Sequence, residues 1–495
     1  MTGYILALDQ GTTSSRAMIF DDTGAVVARA QQEIPLSYPR DGWVELAGAD
    51  ILSSTFDCAR QALSQMPDGT RPQALGITNQ RETTLIWDRA TGEPVYPAIV
   101  WQDRRTAEQC REMVAAGQEA GVTEKTGLLL DPYFSATKIS WILDHVPGAR
   151  ARAARGELAF GTVDSFLLWH LTGGEVHATD VTNAARTLLF NIHDLAWDEA
   201  LLDLFRVPAE VLPEVQACDH HFGAVKAELF GFSLPITAMA GDQQAALVGQ
   251  NCLTAGDVKC TYGTGGFLMM NVGSEPVMSQ NRLLTTVAYQ VKGQTAYALE
   301  GSFFSAGSSI QWLRDGLGVI AHAAETEDLA RSIDSCKGVY LVPAFTGLGA
   351  PHWNPDARGS LFGLTRDSGR AEIARAALES IGYQTADLIE AMQQDAGLEV
   401  GHLKVDGGMV ANQWLLQFIA DIIAVDVHRP RITETTSVGI AILAGIGSGM
   451  VNAIRDLSIF CVYDLHITPN RHDIEKNIKK NGWKKALEST CYYST

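Results

Sequence analysis

The sequence predicts an α/β protein built from two duplicated domains that share a cleft. The chain has 495 residues. Because a single hydrophobic core stops growing at roughly 250–300 residues, two domains of about 250 residues each are expected. Short apolar segments alternate with amphipathic ones, which is typical of sheets layered with helices. Two similar strand–turn–strand segments, rich in glycine and threonine, lie about half a chain apart, as a duplication predicts.

The first of these segments, ALDQGTTSSRAMIFD, lies near the start of the chain. Strands are predicted over Tyr4–Leu8, Arg16–Phe20 and Ala25–Ala30, with the turn sequence DDTG between the last two. The first strand ends on the acid Asp9, and the turn Gly11–Ser15 follows with several hydroxyl side chains. Glycine-rich turns expose backbone N–H groups that bind phosphate oxygens, so this turn is a candidate phosphate loop.

The second segment, VKCTYGTGGFLMMNV, repeats this plan. The turn lies at Thr261–Gly266, with Gly263–Gly266 as the candidate phosphate loop, and the strand Phe267–Val272 leaves it. A third candidate, Gly407–Gly408, joins a strand to the amphipathic helix of NQWLLQFIADIIAVDV. The boundary between the domains is predicted within Ala240–Asp257, which gives domains 1–248 and 249–495. Each turn by itself is also compatible with an ordinary tight hairpin.

Composition excludes several classes of protein. The formal net charge of −19 argues against a nucleic-acid-binding protein, which would present a basic face. The eight cysteines form no CxxC pair, which argues against a zinc site or redox dithiol and indicates reduced thiols. No signal peptide is recognised, and the longest apolar run is too short for a membrane span. The expected location is the cytoplasm. The P-loop, protein-kinase and GxGxxG motifs are absent.

Three acids and one base stand at the ends of predicted strands. Asp9 would repel a phosphate but can hold a Mg²⁺ ion or its waters, although a turn-capping role is the alternative. Arg81 and Glu82 follow the strand Leu75–Thr78 and are either a solvated pair or a donor–acceptor set for a polyhydroxylated ligand. Asp242 precedes a helix, where position alone favours an N-cap.

Long blocks of the chain, in order, carry a family resemblance. They include ALDQGTTSSRA, GITNQRETTLIWD, PAIVWQDRRTAE, DPYFSATKISWILDHV, GTVDSFLLWHLTGG, AGDQQAALVGQ, TYGTGGF, SIQWLRD, VPAFTGLGAPHWNPDARGSLFGLTR and VDGGMVANQWLLQF. These blocks cover roughly residues 1–445. On them the chain resembles the glycerol-phosphorylating branch of the FGGY family of carbohydrate kinases.

The resemblance implies two ribonuclease-H-like domains of the actin, hexokinase and heat-shock-ATPase type, closing over a cleft. It implies ATP-dependent phosphorylation of glycerol to sn-glycerol 3-phosphate in glycerol uptake and catabolism, with ATP and Mg²⁺ as cofactors. The first domain would carry the polyol site and first phosphate loop, and the second domain the nucleotide site. A homo-oligomer, dimer or tetramer, is expected.

The resemblance also implies the role of individual residues. Asp242 is implied as general base, which replaces the N-cap interpretation, and Asp9 as the magnesium-linked acid. An aspartate with an ordinary pKa near ~4 is ionised at pH 7 and can serve as the base. Contacts to glycerol are implied for Arg81, Glu82, Trp101, Tyr133, Asp242, Gln243 and Phe267. Contacts to the nucleotide are implied for Thr12, Thr13, Ser14, Arg16, Thr264, Gly307, Gln311, Gly408 and Asn412.

Two regions depart from the family pattern. The tail is atypical from about residue 451, and Asn470–Lys480 is predicted to be a charged, solvated helical face. The segment AVKAELFGFSLPI lacks the arginine and histidine through which some relatives bind fructose 1,6-bisphosphate or are phosphorylated, so both regulations are expected to be absent. His220 and His221 are interpreted as a surface pair.

Two alternatives to a glycerol-phosphorylating enzyme stay open. One is a kinase for another small polyol or ketose, and the other is an actin-like or chaperone-like ATPase scaffold.

Overall fold

The first half of the chain contains a six-stranded sheet with helices on its faces. The computed structural model describes residues 3–451, 461–470 and 473–493. The strands of the first half are β1 (Tyr4–Gln10), β2 (Ser14–Asp21), β3 (Val26–Glu33), β4 (Glu45–Leu46), β5 (Ala74–Asn79), β6 (Leu85–Asp88), β7 (Ala98–Ile99), β8 (Leu158–Gly161), β9 (Ala178–Asp180), β10 (Phe190–Asn191), β11 (Ala196–Trp197), β12 (Glu214–Gln216), β13 (Ala224–Val225) and β14 (Leu234–Gly241). The helices are α1 (Gly48–Leu63), α2 (Ala107–Ala115), α3 (Glu119–Thr126), α4 (Ser135–His145), α5 (Ala149–Ala154), α6 (Val163–Leu171), α7 (Val181–Ala184), α8 (Glu199–Phe205), α9 (Ala227–Phe230) and α10 (Asp242–Gly249).

The second half contains a seven-stranded sheet. The strands of this sheet are β15 (Val258–Tyr262), β16 (Gly266–Gly273), β17 (Leu284–Val291), β18 (Gln294–Phe303), β21 (His402–Asp406), β22 (Asp426–Pro430) and β23 (Tyr463–Ile467), and β19 (Tyr340–Val342) and β20 (Ser360–Phe362) form a separate two-stranded sheet. Its helices are α11 (Gly307–Gln311), α12 (Glu325–Arg331), α13 (Arg370–Ala396), α14 (Gln413–Ile423), α15 (Thr435–Gly447) and α16 (Asp473–Tyr493).

The two sheets share the topology of a five-stranded core, β3-β2-β1-β5-β14 in the first and β18-β16-β15-β21-β22 in the second, which confirms the predicted duplication. Their strand orders are β13-β14-β5-β1-β2-β3 and β17-β18-β16-β15-β21-β22-β23. In the first sheet, β1, β2 and β3 pair antiparallel, whereas β5 and β14 run parallel to β1. In the second, β15, β16 and β18 pair antiparallel, whereas β21 and β22 run parallel to β15. Each half therefore begins with a hairpin and continues with two parallel crossovers.

Two helices join the halves by direct backbone contact. Helix α15 belongs to the second half, but its apolar face packs with Ile5 and Ala7 of the first sheet in one buried cluster. It also crosses α10, where a Cβ added to Gly439 would lie 1.8 Å from the carbonyl oxygen of Ala245. A Cβ on Gly249 would lie 2.0 Å from the carbonyl oxygen of Thr435. Only glycine at positions 249 and 439 permits so close a crossing of α10 and α15. The apolar residues of α15 therefore pack against the first sheet and form a contact between the two halves.

The tail is anchored by one tryptophan. Trp483 in α16 is 2% exposed, stacks on Tyr383 with ring centroids 5.3 Å apart, and donates from Nε1 to Asp387 Oδ2 at 2.7 Å. Of the predicted solvated face, Glu475, Asn477 and Ile478 are exposed. The rest of the atypical tail lies partly outside the described residues, at 452–460, 471–472 and 494–495.

Two further sequence predictions concern side chains outside the cleft. None of the eight cysteines forms a disulfide, and all but Cys491 are buried. His220 and His221 are both exposed, as predicted.

Among the helices of the described ranges, none combines the length and apolar character that crossing a bilayer would require.

Candidate active site

Three of the predicted site residues lie at one edge of the first sheet. Strands β1, β5 and β14 are parallel neighbours, with Asp9 opposite Thr78 and Gly241 opposite Asn79 in their registers. The carboxyl ends of parallel strands meet at the same edge of a sheet, where ligands bind in open α/β folds. Asp9 at the end of β1, Arg81 after β5 and Asp242 after β14 therefore converge, although 233 positions of sequence separate the first from the last.

The two glycine–threonine hairpins form as predicted. In the first, the Gly11 N–H donates to the Ser14 carbonyl at 2.9 Å, and the Thr13 side chain is exposed. In the second, the Gly263 N–H donates to the Gly265 carbonyl at 2.9 Å and the side chain of Thr264 is exposed. Both turns present an exposed threonine hydroxyl at their tip, which suits the binding of phosphate oxygens.

The residues predicted to contact the polyol are brought into contact with one another and outline a candidate pocket. Arg81 is buried, with Nε 3.2 Å from Asp242 Oδ1 and Nη2 3.3 Å from the Tyr133 hydroxyl. The indole of Trp101 packs edge-on to Phe267 at 6.1 Å between centroids. Trp101 also donates from Nε1 to Thr12 Oγ1 at 2.8 Å, which ties this aromatic wall to the first phosphate loop. The interpretation of Arg81 and Glu82 as a solvated surface pair is wrong, because both side chains are 2% exposed.

A buried network of four charges supports this pocket. Glu300 on β18 receives both terminal nitrogens of Arg81, at 2.5 and 3.0 Å, across the domain interface. Arg186 donates to Glu300 at 2.9 Å and to Glu82 at 2.8 Å. Burial raises the pKa of Glu300, but the charges of Arg186 and Arg81 outweigh it and hold the pKa at about 2. The network is electrically balanced and fixes the guanidinium of Arg81 in one orientation.

Asp242 has the exposure and environment that a proton acceptor needs. Its side chain is 28% exposed, whereas that of neighbouring Arg81 is 2% exposed, so the carboxylate faces the cleft. The N-cap of α10 is Gly241, and Asp242 is the first helical residue. Burial raises the pKa of Asp242, and the positive charge of Arg81, which lowers the pKa, offsets only part of this rise. The expectation of an ordinary pKa near 4 is therefore corrected: the site holds this carboxylate in a low-dielectric environment that strengthens its basicity.

Asp9 fits the role of a metal-linked acid. Its side chain is 13% exposed, and Oδ2 lies 3.4 Å from Arg16 Nη1 and 3.5 Å from Ser437 Oγ. Burial, partly offset by Arg16, raises the pKa of Asp9 to about 6. A desolvated carboxylate beside a phosphate loop is a ligand for Mg²⁺, which binds proteins through one or two carboxylates and substrate phosphates.

We expect the substitution Asp9→Asn to stabilise the unliganded protein above pH 6. A carboxyl whose folded pKa is raised from 3.8 to about 6 keeps a proton that the unfolded chain releases, so the free energy of unfolding falls as pH rises through that window. The stabilisation of Asp9→Asn relative to the wild type should be larger at pH 7.5 than at pH 4 by about 2 kcal/mol. Thermal unfolding without nucleotide or Mg²⁺ measures it.

The matched control for this prediction is Asp22→Asn, at an exposed turn position on the same antiparallel β1–β3 segment. Its effect on the melting temperature should be the same at both pH values. If Asp9→Asn shows the same pH-independent behaviour, Asp9 does not titrate in this window.

The nucleotide residues line a second pocket, between β15, α11 and the turn after β21. This cavity of about 220 Å³ contains four of the predicted contacts, Thr264, Gly307, Gln311 and Gly408. Its other lining residues are Tyr262, Gly263, Ile310, Arg314, Ala323 and Met409. Asn412 is not among them, because its side chain caps α14 by accepting from the Leu415 N–H at 2.9 Å. Asn412 therefore holds the start of α14 behind the glycine turn and is not part of the pocket wall.

Gln243 and Lys259 form a polar contact behind the catalytic edge. The Lys259 ammonium donates to Gln243 Oε1 and to Thr261 Oγ1, the latter at 3.0 Å. The side-chain carbonyl oxygen of Gln243 therefore already accepts one hydrogen bond, and its second lone pair and its amide N–H groups are the remaining polar positions. Gln243 also donates from its backbone N–H to Asp242 Oδ1 at 2.7 Å, which orients the carboxylate.

Sequence reasoning missed Glu300, Arg186, Lys259 and Arg314. Glu300 carries a usable signal, because it is an isolated acid in the apolar strand sequence YALEGSF. A lone acid in a buried strand needs a partner of opposite charge, so Glu300 by itself predicts a contact with a buried basic side chain. Arg186 gives no such signal, since its partners are 104 and 114 positions away.

Comparison with known proteins identifies both halves of the chain. The model for the N-terminal domain of the FGGY family of carbohydrate kinases matches residues 4–249, and the model for its C-terminal domain matches residues 258–448. Glycerol kinase of Ectopseudomonas mendocina is 55% identical over 491 residues, covering 99% of each chain. Glycerol kinase 1 of Pseudomonas aeruginosa is 55% identical over 490 residues, covering 98% of this chain and 99% of the relative.

Solved structures agree with this grouping. The chain is similar to a crystal structure of Plasmodium falciparum glycerol kinase with ADP, with a TM-score of 0.93, 35% identity, and coverage of 99% and 98% of the two chains. A gluconate kinase from Lactobacillus acidophilus has a TM-score of 0.89 at 21% identity, covering 100% of this chain and 99% of its own. The latter likeness concerns the fold alone.

Proposed function

The chain belongs to the FGGY family of carbohydrate kinases, and within it we propose that it transfers the γ-phosphoryl group of ATP to a primary hydroxyl of glycerol. The products would be sn-glycerol 3-phosphate and ADP. The observation that carries this proposal is the convergence of Arg81, Asp242 and Tyr133 at one sheet edge, next to the aromatic wall that contacts the first phosphate loop. Relatives at about 55% identity over almost the whole chain are glycerol kinases, which supports the same substrate.

The pocket offers a complementary group for each part of a three-carbon triol. Arg81 and the Tyr133 hydroxyl supply donors, and Glu82 supplies an acceptor close to Arg81 Nε, at 3.7 Å. Trp101 and Phe267 present apolar edges for the carbon chain. In a closed site, a ligand lacking one hydroxyl leaves a buried polar group unpaired, which costs about 1–3 kcal/mol. Selection for glycerol follows from this pairing.

Asp242 would act on the reacting hydroxyl. The hydroxyl oxygen forms a bond to the γ-phosphorus, the bond from that phosphorus to the β,γ-bridging oxygen breaks, and the hydroxyl proton moves to the Asp242 carboxylate. Because phosphoryl transfer has a loose transition state, positioning and charge neutralisation account for most of the catalysis. The N–H groups and hydroxyls of the two glycine–threonine turns would bind the phosphate oxygens.

Mg²⁺ bound with ATP would neutralise negative charge on the β- and γ-phosphates, and Asp9 is the residue proposed to hold the ion or its waters. The nucleoside would occupy the cavity lined by Gly307, Gln311 and Gly408. Arg314 and Met409, which border the same cavity, are added as candidate contacts for the ribose and the base. Closure of the two domains would exclude water, which otherwise competes as phosphoryl acceptor.

A panel of small polyols and ketoses tests the proposal. ADP release, coupled to a spectrophotometric assay, should give the highest kcat/KM for glycerol, ahead of dihydroxyacetone, glyceraldehyde and a pentulose. A higher value for any competitor would reassign the substrate within the family. ATP hydrolysis that is independent of all these acceptors and accompanied by filament formation would instead support an actin-like ATPase scaffold.

A further inference from the structure

A cluster of metal-ligating side chains lies on the last two strands of the second sheet. Asp426 and His428 are two positions apart on β22 and so project from the same face. His466 on β23 pairs with His428 in the antiparallel register. The ligand atoms of these three side chains all lie within 4.8 Å of one another. In the described parts of the chain, no other set of three histidine, cysteine or acidic residues is grouped this closely.

One nitrogen of this cluster has no hydrogen-bond partner. His428 Nε2 is buried and unpaired, which is rare for a polar atom in a folded protein and requires an explanation. The His428 ring stacks on His402, with centroids 5.0 Å apart and planes 8° apart, and meets the His466 ring edge-on at 4.4 Å.

This cluster is separate from the proposed kinase site. His402 and Asp426 are the first residues of the parallel strands β21 and β22 and face each other in the register. Asp406, at the opposite end of β21, lies beside the nucleotide turn Gly407–Gly408. The cluster therefore lies at the amino ends of these strands, and the nucleotide pocket at their carboxyl ends. A second site on this edge would not share ligands with the phosphate loops.

We propose that Asp426, His428 and His466 bind one divalent transition-metal ion of the zinc class. Two imidazoles and one carboxylate are a donor set that suits zinc and its neighbours, whereas Mg²⁺ prefers oxygen ligands. In a tetrahedral site neighbouring ligand atoms are about 3.3 Å apart, given metal–nitrogen bonds of about 2.0–2.1 Å. His466 Nε2 and Asp426 Oδ2 are 2.9 Å apart in a hydrogen bond, and an ion bound between them would replace this hydrogen bond and lengthen the distance.

The ion would join β23 to the sheet. Strand β23 comes from the tail and, among the strands of the described residues, pairs with β22 alone. A bond from the metal to His466 on one side and to Asp426 and His428 on the other would connect these two strands through side chains as well as through backbone. Metal binding at this site should therefore raise thermal stability in addition to giving a spectroscopic signal.

The test is a titration of the full-length, chelator-treated protein with CoCl₂ in buffer that contains millimolar MgCl₂ to occupy oxygen-rich sites. The wild type should take up one Co²⁺ with visible d–d absorption typical of a low-coordinate site, and Zn²⁺ should displace it. His466→Ala and His428→Ala should each weaken Co²⁺ binding at least tenfold and abolish the metal-dependent rise in melting temperature. His322→Ala, which removes an exposed histidine elsewhere, is the matched control and should bind as the wild type.

The half-exposed position of His466 makes its alanine variant the safer of the two for folding. If His428→Ala does not fold, His466→Ala and Asp426→Asn decide the question. The proposal is overturned if the wild type gives no Co²⁺ absorption at one equivalent. It is equally overturned if His466→Ala binds Co²⁺ with unchanged affinity.

Discussion

Asp242→Asn should reduce kcat by about 10²–10⁴-fold, the range that a positioned general base contributes. Asparagine keeps the shape of the side chain and can still accept from the Gln243 N–H, but it cannot take the proton of the attacking hydroxyl. The affinity for ADP, measured by calorimetry, should stay within about twofold, because Asp242 lies at the edge of the first sheet and the nucleoside cavity is lined by the second half. Turnover is measured at saturating glycerol and ATP.

The pH dependence provides a second readout of the same residue. Burial raises the pKa of Asp242, so wild-type turnover should fall as pH decreases through that raised pKa and the carboxylate is protonated. Asp242→Asn should lose this acid limb. The control is Asp144→Asn, which removes a carboxylate from a surface ion pair with Arg150 and should leave turnover unchanged. Turnover of Asp242→Asn within tenfold of the wild type would show that another group accepts the proton.

Glu300→Ala should lower the free energy of unfolding by about 3–5 kcal/mol, the cost of removing one partner from a buried ion pair. The substitution leaves two guanidinium groups, those of Arg81 and Arg186, buried without their shared acceptor. Urea denaturation at pH 7.5 measures the loss. It should be accompanied by a rise in the KM for glycerol that exceeds any rise in the KM for ATP, because Arg81 loses the contacts that orient it.

The stabilising effect of Glu300 should also depend on pH with a defined sign. A carboxyl whose pKa is lowered from 4.5 to about 2 contributes stability that is complete above pH 4.5 and is lost as pH falls toward 2. The stability difference between Glu300→Ala and the wild type should therefore shrink in that window. Glu157→Ala, which removes an exposed ion pair with Arg155, is the control and should produce no measurable change. A Glu300→Ala protein as stable as the wild type would mean that the network is not a net contributor.

Local sequence pattern was sufficient to predict the two hairpins, the amphipathic helix α14 and the duplicated plan. Each of these depends on residues that are near neighbours along the chain, such as the glycine and threonine at Gly263 and Thr264. The family resemblance then assembled Arg81, Asp242 and Tyr133 into one predicted pocket, and the structure brings them together.

The sequence by itself determined which segments become strands, helices and phosphate turns, because periodicity and turn chemistry act over a few residues. The tertiary structure alone decided what lies behind the pocket and what joins the domains. Glu300 meets Arg81 across 219 positions, and Gly439 meets α10 at backbone distance. Burial then changed the chemistry of Asp9 and Asp242, raising the pKa of each carboxyl. Such effects depend on which distant residues share a low-dielectric interior, and no local pattern encodes that.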